Sequence, residues 1–181
     1  MNEFSTYEYV VQRKNKGSQK LTPVLLIIGY IIFAVLALAF AVSSKLGAPL
    51  VALAPLALAL IIFLTWRYTK IEYEYSITSG ILTFSEIYGG KSRKTITEFS
   101  LKDCDTIAPL SDPDKRAIAQ RYNADISYVA LSHKDTENAY FATFENEKGK
   151  RCIFFFEATE KALKICRFYN PANTTVTKVS F

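Results

Sequence analysis

The chain has 181 residues, half of them hydrophobic, with 22 Lys and Arg against 17 Asp and Glu. That apolar fraction excludes a disordered chain, and 7 Gly with 6 Pro exclude a collagen-like or low-complexity one. Three Cys, odd and sparse, argue against a secreted disulfide scaffold.

Residues 1–20 form a cytoplasmic N-terminal segment in this reading. It carries Glu3 and Glu8, then the cations Arg13, Lys14, Lys16 and Lys20. Phe4, Tyr7 and Val11 fall at helical spacing, which allows a short interfacial helix. Four cations beside a bilayer attract anionic headgroups at about 1 kcal/mol each; acting as plain topology determinants is the simpler role for them.

Residues 23–42 and 48–66 are two runs of 20 and 19 residues without a charge. A hydrocarbon core about 30 Å thick needs roughly 20 apolar residues at 1.5 Å rise each. Residues 21–66 therefore read as a transmembrane hairpin of two antiparallel neighbours, linked through Lys45. A small soluble domain has too little surface to cover two helices that are apolar all round. Pro55, inside the second run, removes a backbone donor and predicts a kink. Gly29, Ala48, Ala52, Ala57 and Ala59 permit close helix packing, so a homo-oligomer through the hairpin is one expectation. Cations flank both outer ends and only Lys45 marks the link, so the positive-inside rule expects a multi-pass inner-membrane protein with both termini cytoplasmic. Trp66, Arg67, Tyr68 and Lys70 are the expected membrane-interface anchors.

Residues 67–170 read as a cytoplasmic domain. Ile71, Tyr73, Tyr75 and Ile77 alternate with polar neighbours, a half-buried strand. Ser79-Gly80 is a tight turn, 81–88 a second strand and Gly89-Gly90 another hairpin signal. Strands follow at 92–101, with Ile96 and Leu101 inward, and at 104–109. Asp112-Pro113-Asp114 opens a short helix over 113–121. Strands at 125–132, 139–145 and 151–157 come next, and Thr159 opens an amphipathic helix that Asn170-Pro171 ends. The expected fold is α+β and mainly β: about seven antiparallel strands, an inserted helix and a C-terminal capping helix. The tail, 171–181, alternates like a strand over 174–181; docking on the domain edge and mobility both stay open.

Two stretches carry a family resemblance. Tyr75-Ser76-Ile77-Thr78-Ser79-Gly80-Ile81-Leu82, and the segment from Phe99-Ser100-Leu101 to Ile107, are similar to motifs of bacterial membrane-anchored proteins in which two transmembrane helices precede a pleckstrin-homology-like (PH-like) domain. Ser100 stands where that pattern often has Pro, and Asp103-Cys104 where it often has an apolar residue. The resemblance implies a PH-like domain with scaffold or membrane-associated roles. Some relatives bind phosphoinositide through basic residues near the first hairpin; here Ser79-Gly80 is tight and uncharged, so that site does not carry over.

Candidates for chemistry are few. His133 is the single histidine and sits in a polar turn. Cys104, Cys152 and Cys166 are isolated, with no metal-binding pair, and two of them fall in apolar patterns. There is no phosphate-loop motif, and Asp103, Asp105, Asp112 and Asp114 lack calcium-loop spacing. Residues 67–181 hold 17 cations and 15 anions, too even for a nucleic-acid footprint. Two basic clusters remain as candidate anionic-lipid contacts: Lys91, Arg93 and Lys94, and Lys148, Lys150 and Arg151. Ordinary solvated hairpin tips explain them as well. The expectation is a non-enzymatic module without cofactor, anchored in the bilayer and presenting its domain to a protein partner. An anionic-lipid sensor and an accessory subunit of a membrane complex are the alternatives.

Overall fold

A computed structural model describes residues 6–12, 21–43, 47–133 and 136–176. The basic group at 13–20, Phe4, the link at 44–46 and residues 177–181 lie outside the described residues. The chain forms two compact units: residues 15–71 with 88–92, and residues 1–14, 72–87 and 93–181.

The first unit is built on α1 (Leu21–Ser43) and α2 (Gly47–Thr65). Leu, Ala and Ile without a charge propagate both helices, to about 34 Å and 28 Å. Gly47 is required at the tip, where a Cβ would collide with the Ala41 carbonyl oxygen. Near the opposite end the Tyr30 hydroxyl donates to Thr65 Oγ1 at 2.6 Å, and Thr65 Oγ1 donates to the Ile61 carbonyl at 2.6 Å. Between these two ties Pro55 interrupts the backbone ladder of α2. A cavity of about 290 Å³ opens there, lined by Phe33, Ala37, Ala41, Val51, Ala54 and Pro55. The remaining surface is apolar and open: Leu36 is 63% exposed and Phe63 77%. Both helices are long and apolar enough to cross a membrane.

The second unit holds two four-stranded sheets. The first has the order β1-β2-β3-β4, from β1 (Thr6–Gln12), β2 (Ile71–Thr78), β3 (Ile81–Tyr88) and β4 (Ser92–Ser100). The second has the order β5-β7-β8-β6, from β5 (Thr106–Pro109), β6 (Ile126–Ala130), β7 (Ala139–Glu145) and β8 (Arg151–Glu157). α3 (Pro113–Arg121) lies between β5 and β6 in sequence, and α4 (Glu160–Tyr169) closes the fold.

Three sequence expectations change. Residues 6–12 of the N-terminal segment do not form an interfacial helix. Tyr7, Tyr9 and Val11 alternate as a strand that pairs antiparallel with β2, Tyr9 opposite Tyr75 and Gln12 opposite Glu72. Helical spacing and strand alternation were both present in those few residues, and the β2 edge decides between them. The strand count rises from seven to eight among the described residues, and not all pairs are antiparallel. β6 crosses to the far side of β8 and pairs with it in parallel, Tyr128 opposite Phe154. The intervals also tighten: Leu101 leaves β4 for a 3-10 turn, Leu101–Asp103, and β5 begins only at Thr106. Leu101 is buried as expected, Ile96 is half-buried, and Phe99 takes the inward position beside it.

The core is aromatic. Phe154 lies within 6.4 Å, centroid to centroid, of Tyr75, Phe84, Phe99 and Phe156. α3 covers the other face of the second sheet, placing Ala119 against Ala108, Phe141 and Ile153. Its start follows the expected caps: Asp112 accepts from the Asp114 amide at 3.0 Å, and Pro113 occupies the first turn. α4 buries Ala162, Leu163, Ile165 and Cys166. Gly80, at φ +85°, leaves room for the Tyr169 ring, which a Cβ would approach to 2.6 Å. Asn170 ends α4 and is itself buried, its amide donating to the Leu101 and Cys104 carbonyls at 2.9 and 2.8 Å.

The start of the tail docks on the sheet edge. The Ile107 amide donates to the Asn173 carbonyl and the Thr175 amide to the Ile107 carbonyl, both at 2.8 Å. The next ladder donor on β5 falls at Pro109, which has no N–H, so the pairing stops after one bridge.

Candidate membrane-interface site

The apolar helix α2 does not pass straight into β2. The four residues Trp66–Thr69 form a 3-10 turn whose side chains are not buried, Trp66 at 45% and Tyr68 at 46% exposure. Thr69 Oγ1 donates back to the Trp66 carbonyl at 2.7 Å, which holds the turn. Arg67 folds over its neighbour: its guanidinium lies 5.0 Å from the Tyr68 ring centroid and donates to the Tyr68 hydroxyl at 3.0 Å.

The turn between β3 and β4 packs against this segment. Gly89 and Gly90 both adopt the left-handed region, at φ +61° and +69°. The Gly89 amide donates to the Lys70 carbonyl at 2.8 Å, and a Cβ on Gly89 would sit 3.1 Å from Arg67 Cβ. The Tyr68 and Tyr88 rings meet edge to face at 5.5 Å. Lys91 leaves this turn exposed, as are Arg67 and Lys70. None of the three is ion-paired among the described residues. The expected interface anchors and the cation Lys91 thus share one place, although twenty residues separate them in sequence.

The other cations of the two clusters divide. Arg93 is an internal ion-pair partner. Its guanidinium lies 2.6 Å from Glu74 on β2 and 3.0 Å from Glu8 on β1. The Glu74 side chain is 4% exposed. Burial holds the Glu74 carboxyl above its ordinary pKa, the neighbouring Glu8 adds to the rise, and Arg93 opposes it. Sequence reading gave no hint of this group, because its members lie on strands separated by 66 and 19 residues. Lys94 stays exposed on β4. In the second cluster Arg151 covers the Tyr122 ring at 4.3 Å. Lys148 and Lys150 are exposed on a tip that Asn146 organises by accepting both their amides at 3.0 and 2.9 Å.

Chemistry-bearing groups elsewhere are held apart or buried. His133 Nδ1 lies 2.9 Å from Ser132 Oγ, but Glu157 accepts the Ser132 amide rather than a ring proton. Asp135 is outside the described residues. All three cysteines are buried free thiols. Burial pushes the Cys166 thiol up to about 12, and raises Cys104 and Cys152 as well. Among the described residues no three His, Cys, Asp or Glu side chains converge as metal ligands.

Two apolar helices, a pair of four-stranded sheets and a closing helix match the architecture the two sequence stretches implied. Residues 3–176 match a family described as "Bacterial PH-like domain (DUF6106)". The chain belongs to this family. The match begins before β1 and runs past α4, so the bacterial PH-like domain here includes the N-terminal strand and the hairpin between β1 and β2. No curated protein and no solved structure matches the chain. PH-like domains are in general not catalysts.

Proposed function

We propose that the protein is a non-enzymatic, membrane-anchored interaction module, with its PH-like domain in the cytoplasm. One observation carries the reading. The two apolar helices interrupt the domain between β1 and β2, and Gln12 is nonetheless paired with Glu72. Strands that pair must share a compartment, so the chain between them crosses a bilayer an even number of times. Two crossings match two helices whose apolar side chains face outward. The cations on both outer flanks then favour the cytoplasmic side for the domain.

The test is accessibility to an impermeant thiol reagent in intact cells. The native cysteines are buried and stay silent, so single exposed cysteines are introduced at Thr6, Ser43 and Glu147. Ser43→Cys alone is expected to label from outside. Labelling of Thr6→Cys or Glu147→Cys overturns the orientation, and labelling of only one of those two overturns the two-crossing hairpin. For the partner, β4 and β6 end their sheets and, unpaired with a further strand among the described residues, offer backbone edges to an extended segment of another protein. A pull-down of the full-length chain in mild detergent is expected to retain one stoichiometric protein. Loss of that protein when residues 71–169 are removed would support the reading; its retention would assign binding to the hairpin.

A further inference from the structure

We infer that Arg67, Lys70 and Lys91 form a binding site for the phosphate headgroup of an anionic lipid in the bilayer that the hairpin spans. The inference rests on the membrane-anchored reading and adds its ligand.

Three features support it. First, the fold assembles the site from two segments. The amide of Gly89 on the Lys70 carbonyl, and the bare Cα of Gly89 against Arg67, hold the Lys91 turn onto the 3-10 turn. Secondly, the site carries three cations with no paired anion among the described residues, whereas Arg93 nearby in sequence is consumed by two carboxylates. Exposed cations without an internal counter-ion have a charge to neutralise, and a phosphate accepts from a guanidinium and an ammonium together. Thirdly, Trp66 and Tyr68 share with Arg67 the turn that directly follows an apolar helix, and the Tyr88 ring packs on Tyr68. Amphipathic rings settle at headgroup level, which sets the cations at the depth of the lipid phosphates. That continuity with α2 favours a headgroup over a soluble anion.

Trp66 is the single tryptophan of the chain, so its fluorescence reports on this site alone. The full-length protein is reconstituted in phosphatidylcholine bilayers with a fixed mole fraction of either phosphatidylglycerol or phosphatidylcholine brominated high on the acyl chain. The brominated phosphatidylglycerol is expected to reach Trp66 with about fivefold or greater preference, declining as salt is raised. Replacing Arg67, Lys70 and Lys91 together by Gln, all exposed, is expected to bring the preference close to one. Replacing Lys148 and Lys150 by Gln is expected to leave it intact.

Equal quenching by both lipids overturns the headgroup site and leaves the anchor standing. No quenching by either overturns the anchor, and the site with it. Preference that survives the triple replacement, or disappears in the Lys148/Lys150 control, overturns the residue assignment. Preference abolished by millimolar inorganic phosphate at constant ionic strength assigns the cations to a soluble anion and overturns the lipid.

Discussion

The hairpin and the PH-like domain use the same side chains in opposite ways. Leu36 and Phe63 stand 63% and 77% exposed on their helices, while Phe154 and Leu163 are 0% and 1% exposed in the domain. In the domain, apolar side chains face one another and polar ones face out, the arrangement water imposes. In the hairpin the outward surface is the apolar one and a polar pair, Tyr30 and Thr65, faces inward. An apolar exterior calls for an apolar solvent. The two units therefore differ both in composition, the helical runs lacking any charge, and in the medium their surfaces suit.

The sharpest way to test this contrast is to damage each unit in its own currency. Phe154→Ala removes the ring that contacts four other rings. It is expected to destabilise the domain by about 3–5 kcal/mol, read as loss of the near-ultraviolet circular dichroism of the purified protein in detergent. Leu36→Arg changes a 63% exposed position. In water such a change matters by about 0.5 kcal/mol or less; at mid-bilayer it costs about 2.5–3.5 kcal/mol. Reduced carbonate-resistant membrane insertion is expected, and unchanged insertion would break the comparison.

A smaller effect concerns the buried carboxyl of the domain. The Glu74 pKa is raised in the fold. The folded state therefore holds the proton more tightly than the unfolded chain. This contribution is fully present below the ordinary carboxylate pKa and is lost as pH rises through the raised value. The melting temperature of the native protein minus that of Glu74→Gln is expected to be largest in acid and to shrink toward neutral pH. A flat difference would show that Glu74 titrates alike in both states. The smallest effect is in the hairpin, where Tyr30→Phe removes one interhelical hydrogen bond. About 0.6 kcal/mol is the average for such bonds in lipid, and a shift of that order in unfolding by a denaturing detergent is expected.

The hairpin was legible in the sequence because hydropathy is a local signal, and both helix ends fall within two residues of the charge-free runs at 23–42 and 48–66. β2, β3, β7, β8, α3 and α4 were legible for the same reason: alternation, Gly turns and caps lie within each segment. What failed depended on distant partners. β1 showed helical spacing through Phe4, Tyr7 and Val11, and only the edge of β2, sixty residues on, makes it a strand. The parallel placement of β6 follows from where β8 lies. At the candidate site, residue types and interface position were readable. The docking of the Gly89 turn on Lys70 was not, nor was the diversion of Arg93 to Glu8 and Glu74.

The interruption of the sheet between β1 and β2 also bears on biogenesis. β1 is synthesised first, but its partner edge appears only after both helices have been made. A chain that inserted one helix and lost the other would strand β1 across the membrane from β2 and leave the β2 edge bare. A bare edge is a template for aggregation and a mark for proteolysis. In the membrane-anchored reading proposed above, completion of the first sheet therefore requires that both helices have threaded the bilayer.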